Sequence, residues 1–267
     1  TGLATYDADR NRPDRPGTSR LSPHLHFGEI SPWRAWIGAY DAARSSTISE
    51  SQADKFTAEL IWRDFSAHLL HHFPTLPTDA FRPEYDRMPW LNDETQFHAW
   101  TRGQTGYPII DAGMRELWTT GFMHNRVRMI VASFLIKHLL VDWRQGEAWF
   151  WDCLMDADLA QNAQNWQWVA GSGADASPYF RIFNPITQGQ KFDPEGVYVK
   201  HWVPELKRLS PAFVHSPWTT PPEILKAADV VLGQTYPRPL VDHAEARARA
   251  LAALKTINSQ GEAWPED

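Results

Sequence analysis

The chain has a single cysteine, Cys153, in 267 residues, which rules out a disulfide framework and suits a reducing compartment. It has no uninterrupted apolar run of the roughly 18 to 20 residues that a membrane span needs. The longest candidate, Met129 to Val141, is broken by Lys137 and His138. The opening TGLATYDADRNRPDR is polar and carries no signal-peptide core, so a cytoplasmic location without a membrane partner is expected. Basic excess is lacking too. With 26 Lys and Arg against 32 Asp and Glu, the net charge is −6. That argues against a nonspecific coat for nucleic acid, since phosphate neutralisation supplies most of such affinity. Strand-like alternation is almost absent, and there is neither an internal repeat nor a low-complexity segment.

What the chain has in quantity is tryptophan, 14 in all. Trp149, Trp151, Trp166 and Trp168 fall in one stretch with Asp152, Asp156, Asp158, Asn162 and Asn165. A buried Trp needs a partner for its N–H and a buried Asp or Asn needs a specific bond, so the combination predicts a polar pocket with aromatic walls. Arginine is concentrated locally, at Arg10, Arg12, Arg15 and Arg20 and again at Arg126 and Arg128. Apolar spacing predicts helices over Pro32–Ser45, Ala53–His72, Asp93–Arg102, Ile109–Thr119, Asn125–Leu140, Gln145–Asp156 and Asp158–Val169, with a last one from Asp242 to Ile257. Arg10–Pro23, Phe73–Pro89 and Gly171–Gly196 read as loops, and the Pro-rich Val203–Pro239 is expected to wrap the surface. The fold class is all-α, with one domain over residues 1–267.

Several spellings mislead. Gly171-Ser172-Gly173-Ala174-Asp175-Ala176 matches the dinucleotide fingerprint G-x-G-x-x-A, but it follows a helix where the fingerprint needs a strand. His68 and His72 stand one turn apart beside His71, with no third ligand and no general-base glutamate, so no metal is expected. Asp7, Asp9 and Asn11 open like a calcium loop without its glycine and closing glutamate.

Four segments carry chemistry. Thr18-Ser19-Arg20-Leu21-Ser22-Pro23 sets hydroxyls around an arginine just before a helix, suited to a phosphate or to an ordinary N-cap. In Glu59-Leu60-Ile61-Trp62-Arg63, helical spacing puts Glu59, Trp62 and Arg63 on one face, a carboxylate, a stacking plane and a cation side by side. In His124-Asn125-Arg126-Val127-Arg128-Met129, Asn125, Arg128 and Met129 share a face and Arg126 points elsewhere. Asp156-Ala157-Asp158 with Asn162, Trp166 and Trp168 offers carboxylates and an amide able to pair with a heteroaromatic cofactor.

In this order the four segments resemble the C-terminal flavin-binding domain of the photolyase and cryptochrome family, most closely the class I cyclobutane pyrimidine dimer photolyases. The motifs run from about Tyr6 to Val203, with residues 204–267 forming a C-terminal wrap and helix. The resemblance implies an all-helical domain that holds FAD, active when reduced, and splits pyrimidine dimers in UV-damaged DNA by light-driven electron transfer. It implies that Tyr6 and Thr18, Ser19, Arg20, Leu21 and Ser22 hold the FAD phosphates and sugars, and that Phe56 stands beside the flavin. Asp156, Ala157 and Asp158 would line the isoalloxazine edge, with Arg128 paired to Asp156, and Asn162 would face flavin N5. Plant cryptochromes typically carry Asp and animal ones Cys at that place, so Asn fits a repair enzyme.

For the lesion, the resemblance makes Glu59 the partner of the pyrimidine carbonyl or imide, its charge moderated by a shared proton or by Arg63. Trp62 and Trp168 would pack on the flipped dimer, and Asn125 and Met129 would complete the pocket. Arg10, Arg126, Arg181 and Gln188 would contact backbone phosphates, which reconciles a net negative chain with a DNA partner. Trp90, Trp143 and Trp166 match the family's electron-transfer triad. Photolyases ordinarily begin with an α/β antenna domain, and no parallel-sheet pattern is present here. The chain is therefore either a fragment of a longer protein or a stand-alone domain, the start at Thr1 without Met favouring the fragment, and it is expected to bind no antenna chromophore and to be monomeric and nucleoid-accessible. A photosensory cryptochrome is the rival function.

Overall fold

The computed structural model describes residues 2–175 and 180–259. Ala176 of the misleading dinucleotide spelling, and the last residues of the expected 1–267 domain, lie outside them. Among the described residues there are thirteen α-helices and no strand, with one isolated bridge between Leu232 and Tyr236. In chain order these are α1 (Tyr6–Asp9), α2 (Ser22–His26), α3 (Pro32–Arg44), α4 (Glu50–His72), α5 (Glu94–Thr101), α6 (Pro108–Thr120) and α7 (Asn125–Ser133). They continue as α8 (Trp143–Cys153), α9 (Leu159–Ala170), α10 (Pro185–Phe192), α11 (Val197–Trp202), α12 (Pro222–Ala227) and α13 (His243–Ser259).

Local chemistry sets the helix ends. Ser31, Asp93, Asp142, Asp158 and Asn184 each accept a first-turn N–H of the helix that follows. Proline opens α3, α6, α10 and α12, where its missing N–H costs nothing. Gly121 and Gly171 close α6 and α9 in the left-handed region.

Four hydrophobic clusters result, of which two frame the site. The large one gathers α6 to α9, α11 and the chain after it around Trp100, Phe134, Trp143 and Trp166. The small one joins α1, α3 and α4 around Tyr6, Phe56 and Leu60. α4 packs against α9 along the seam between the two cores.

Three expectations need correction. The helix predicted over Asn125–Leu140 is α-helical only to Ser133, and Phe134–His138 forms a π turn closed by Leu139 N–H on the Phe134 carbonyl at 3.2 Å. The wider turn lets adjacent polar side chains reach different partners: Lys137 meets the Arg181 carbonyl and His138 Nε2 meets His243 Nδ1 at 2.8 Å. The loop predicted over Gly171–Gly196 contains α10, because Asn184-Pro185 is an N-cap and first-turn proline rather than a breaker. Val203–Pro239 is not a surface wrap, since Val203, Leu206, Leu209, Val214 and Tyr236 are fully buried in the large core. Uneven spacing in a Pro-rich segment hides such residues from any periodicity test.

Candidate active site

On the α4 side of the seam stand Glu59, Trp62 and Arg63. Glu59 pairs with Arg10 at 2.5 Å, the two side chains 36% and 22% exposed. This corrects the pairing expected with Arg63. Arg63 instead crosses the seam, donating to Asp158 Oδ2 at 3.2 Å and to the Leu25 carbonyl at 3.4 Å. Its own carbonyl accepts from Gln161 Nε2 at 2.7 Å. Trp62 is 45% exposed, with Phe65 edge-on at 5.7 Å. Phe56, one turn before Leu60, is buried against Tyr6, ring centroids 5.7 Å apart. Burial pushes the Tyr6 phenol up to about 12.

The opposite side is held more firmly. Asp156, its side chain 2% exposed, receives both Nη2 contacts of Arg128 at 3.1 and 2.9 Å, and Arg128 Nε donates to the Met123 carbonyl at 2.7 Å. Asp158 caps α9 through Gln161 N–H at 3.0 Å, with His26 Nδ1 3.5 Å from its other oxygen. Ala157 between them packs on the large core. Asn162 is buried and donates Nδ2 to the Glu147 carbonyl at 2.9 Å. A carbonyl can only accept, so the amide orientation is fixed and Oδ1 is the group left to a ligand. The Glu147 carboxyl is buried as well, which pushes it up to about 8 against a smaller opposing effect of Arg144.

Four polar contacts and the short backbone runs between them link these residues into a closed circuit. From Glu59 on α4 it runs to Arg10, then through the neighbouring Asn11 to Arg126, whose Nη2 donates to Asn11 Oδ1 at 2.7 Å. It follows α7 from Arg126 to Arg128, crosses to Asp156, continues to Asp158 and returns to α4 at Arg63. Burial, then the charges of Arg10 and Arg181, pull Arg126 below its ordinary value, so these arginines share one rim. Arg126 also lies 4.6 Å over the Phe192 ring, which explains why it points away from Arg128. Asn125 is exposed and Met129 half-buried on the same helix. Arg181 is exposed, and Gln188 is half-buried on α10.

The turn before α2 supplies hydroxyls. Ser19 Oγ accepts from Leu21 N–H at 3.3 Å, and Arg20 sits at φ 54°, a left-handed conformation uncommon outside glycine. Thr18, Leu21 and Ser22 are half-buried. Phe122 lies beneath two guanidinium groups, Arg20 at 4.9 Å and Arg128 at 5.6 Å. The donor set fits FAD. Asn162 Oδ1 and the Asp158 carboxylate are acceptors for ring N–H groups, while Thr18, Ser19, Ser22 and Arg20 offer donors to phosphate.

The tryptophans are unequal. Trp166 is 2% exposed and meets Trp100 and Phe150 edge-on at 6.4 and 5.0 Å. Trp143 is buried under the Arg144 guanidinium at 4.6 Å, and Trp90 is half-buried against the large core. Trp168 is half-buried on the same core. Trp149 packs against the large core and stacks on the exposed Trp118 at 5.9 Å. Sequence reasoning missed Phe122 as the shared plate and Glu147 as the residue that orients Asn162. The second acts through its backbone, so its residue type carries no signal.

Comparison with known proteins agrees with this geometry. Residues 56–256 match a family described as the FAD binding domain of DNA photolyase. The chain is 57% identical over 255 residues to a deoxyribodipyrimidine photo-lyase of Agrobacterium fabrum, covering 96% of this chain and 53% of that protein. It is 41% identical to Cryptochrome-1 of Arabidopsis thaliana, covering 96% of this chain and 38% of the relative. The crystal structure of a bacterial class III photolyase from Agrobacterium tumefaciens superposes with a TM-score of 0.94 at 56% identity, covering 97% of this chain and 53% of that one. The chain thus spans about half the length of the photolyases it matches.

Proposed function

Because the chain belongs to the family of FAD-binding domains of DNA photolyases, we propose that it carries the catalytic centre of a light-dependent enzyme that repairs cyclobutane pyrimidine dimers in DNA. The observation that carries this proposal is the closed circuit Glu59·Arg10, Asn11·Arg126, Arg128·Asp156, Asp158·Arg63, which frames the seam beside Asn162. It joins α4, α7 and the start of α9, and Asn162 stands one turn after its member Asp158, with Oδ1 free of the Glu147 contact. As to class, the 56% identity to a bacterial class III photolyase groups the chain there rather than with class I, which the motifs alone suggested. We treat residues 1–267 as one catalytic unit.

Reduced FAD, when bound, supplies the light-excited electron. Asn162 would offer Oδ1 as an acceptor to the N5 side of the flavin, its Nδ2 being turned toward the Glu147 carbonyl. Arg128 compensates the buried Asp156 and so fixes the 156–158 segment, whose carboxylates would hold the edge of the flavin ring. Tyr6, Thr18 to Ser22 and Phe56 would hold the rest of the cofactor. Glu59 accepts from the imide of the flipped dimer, and Arg10 offsets its charge near a polyanion; that is a different task from the phosphate contact first assigned to Arg10. Trp62 and Trp168 pack on the lesion with Asn125 and Met129, excluding water. Removing a damaged pair from the stack costs less than removing a sound one, which supplies selectivity. Arg126, Arg181 and Gln188 meet the DNA backbone, and Trp90, Trp143 and Trp166 relay electrons from the surface.

The test is direct. The purified chain should show a flavin spectrum and, after reduction, repair a dimer-containing oligonucleotide only under illumination. Glu59→Ala and Asn162→Asp should each lower repair with FAD retained. The 41% identity to a cryptochrome keeps a photosensor as the second function, and bound flavin without light-dependent repair decides for it.

A further inference from the structure

Lys137 is a costly residue for its place. It is 3% exposed on the π turn, inside the large core's boundary, and no carboxylate is among its hydrogen-bond partners in the described residues. Burial, then the charge of Arg181, pulls its ammonium down to about 7. A methionine would fill the same space without taking a charge out of water, and such replacements are often neutral or stabilising. Mere packing therefore does not account for an amine here.

Its contacts say what the amine does. Nζ donates to the main-chain carbonyl of Arg181 and lies 4.5 Å over the Phe180 ring. One turn earlier Ser133 Oγ accepts from Phe183 N–H at 3.3 Å. Two side chains a turn apart thus grip one short segment, 180–183, from below. That segment exposes the Arg181 guanidinium, 5.0 Å from the Phe183 ring, and its charge reaches Arg126 on the rim shared with Arg10. At its far end Asn184 caps α10, so the segment is fixed at both sides of Arg181.

We propose that Lys137 is a positioning residue for DNA binding: its buried amine and Ser133 hold segment 180–183 so that Arg181 is aimed at a backbone phosphate beside the lesion. This rests on the DNA-repair function proposed above. Lys137 touches neither substrate nor cofactor and acts only through the main chain of Arg181.

The test uses the FAD-loaded chain and a duplex carrying one cyclobutane dimer, with affinity measured across a salt series. Lys137→Met and Arg181→Ala should each weaken binding about five- to tenfold and lower the slope of log affinity against log salt by about one phosphate contact. The double variant should be no weaker than Arg181→Ala alone, since residues acting through one another are non-additive. Ser133→Ala should move affinity and slope in the same direction by less, and it carries the test if Lys137→Met does not fold. An unchanged slope in Lys137→Met, or in Ser133→Ala when that variant stands alone, makes these residues packing groups and overturns the proposal. Additive losses also overturn it, as does an Arg181→Ala variant that binds like the parent; both outcomes leave the repair function standing. If the parent itself does not distinguish the dimer duplex from a sound one, the repair function has failed first.

Discussion

The two sides of the seam are built on different principles. On the α4 side the functional groups are held by ion pairs in partial contact with solvent, as Glu59 is by Arg10. On the α9 side they are held by packing and by buried bonds: Asn162 by the Glu147 carbonyl, Asp156 by Arg128, Trp166 by its neighbours in the core. An exposed ion pair contributes little and can rearrange, whereas a buried pair is expensive to break. On the function proposed above, one side could adjust to a bulky, variable lesion while the other would keep the cofactor's surroundings constant.

The contrast can be broken most forcefully at Arg128. Arg128→Met leaves the Asp156 carboxylate buried without its partner, and denaturant unfolding should show a loss of about 3–5 kcal/mol. Next come two glycines. A Cβ at Gly146 would lie 2.2 Å from Trp166 Cη2 and 2.7 Å from Leu135 Cδ2, while at Gly38 on α3 it meets nothing within 4 Å. Gly146→Ala should cost about 1–3 kcal/mol by overpacking, and Gly38→Ala should gain about 0.5–1 kcal/mol from helix propensity; equal effects would erase the distinction between the sides.

The third test concerns pH. The folded chain keeps on Glu147 a proton that the unfolded chain releases near its ordinary 4.5, because burial raises the folded value to about 8. The stability this neutral carboxyl confers is complete below about 4.5 and is lost as pH rises through about 8. Glu147→Gln should therefore be more stable than the parent at pH 8, by about 1–2 kcal/mol, with the gap closing toward pH 5. His138 works in the other direction, with burial, followed by the charges of His243, Lys137 and Arg249, lowering it to about 3. It erodes stability as pH falls below about 6.5. The smallest effect belongs to Arg10→Met, at most about 1 kcal/mol in unfolding, with its main consequence in affinity for dimer-containing DNA.

Much of this was legible in the chain. The one-face grouping of Glu59, Trp62 and Arg63 follows from spacing, and the structure bears out the helix that carries it; the pairing of Arg128 with Asp156, implied by the family resemblance, is present with Asp156 in the turn between α8 and α9. What spacing cannot reveal is partner choice across the fold. Arg63 has Glu59 within a turn, yet it binds Asp158, 95 residues away, and Glu59 takes Arg10. The π turn is equally hidden, since Asn125–Leu140 keeps a helical pattern up to and through the residues that leave the α ladder. α10 was lost because its opening proline has two meanings, and only the tertiary setting of Asn184 selects one.

The hydrogen bond from Asn162 to Glu147 has a consequence for how the molecule assembles. It closes a loop of 15 residues, while the Arg63–Asp158 bond closes one of 95. Closure entropy grows as three-halves of RT times the logarithm of loop length, so the shorter loop costs about 1.6 kcal/mol less. The α8–α9 hairpin can orient the asparagine before the first half of the chain has docked, and its side chains should show the high φ-values of an early nucleus. During refolding, the α9 side of the seam would then serve as the template on which the α4 side is laid down.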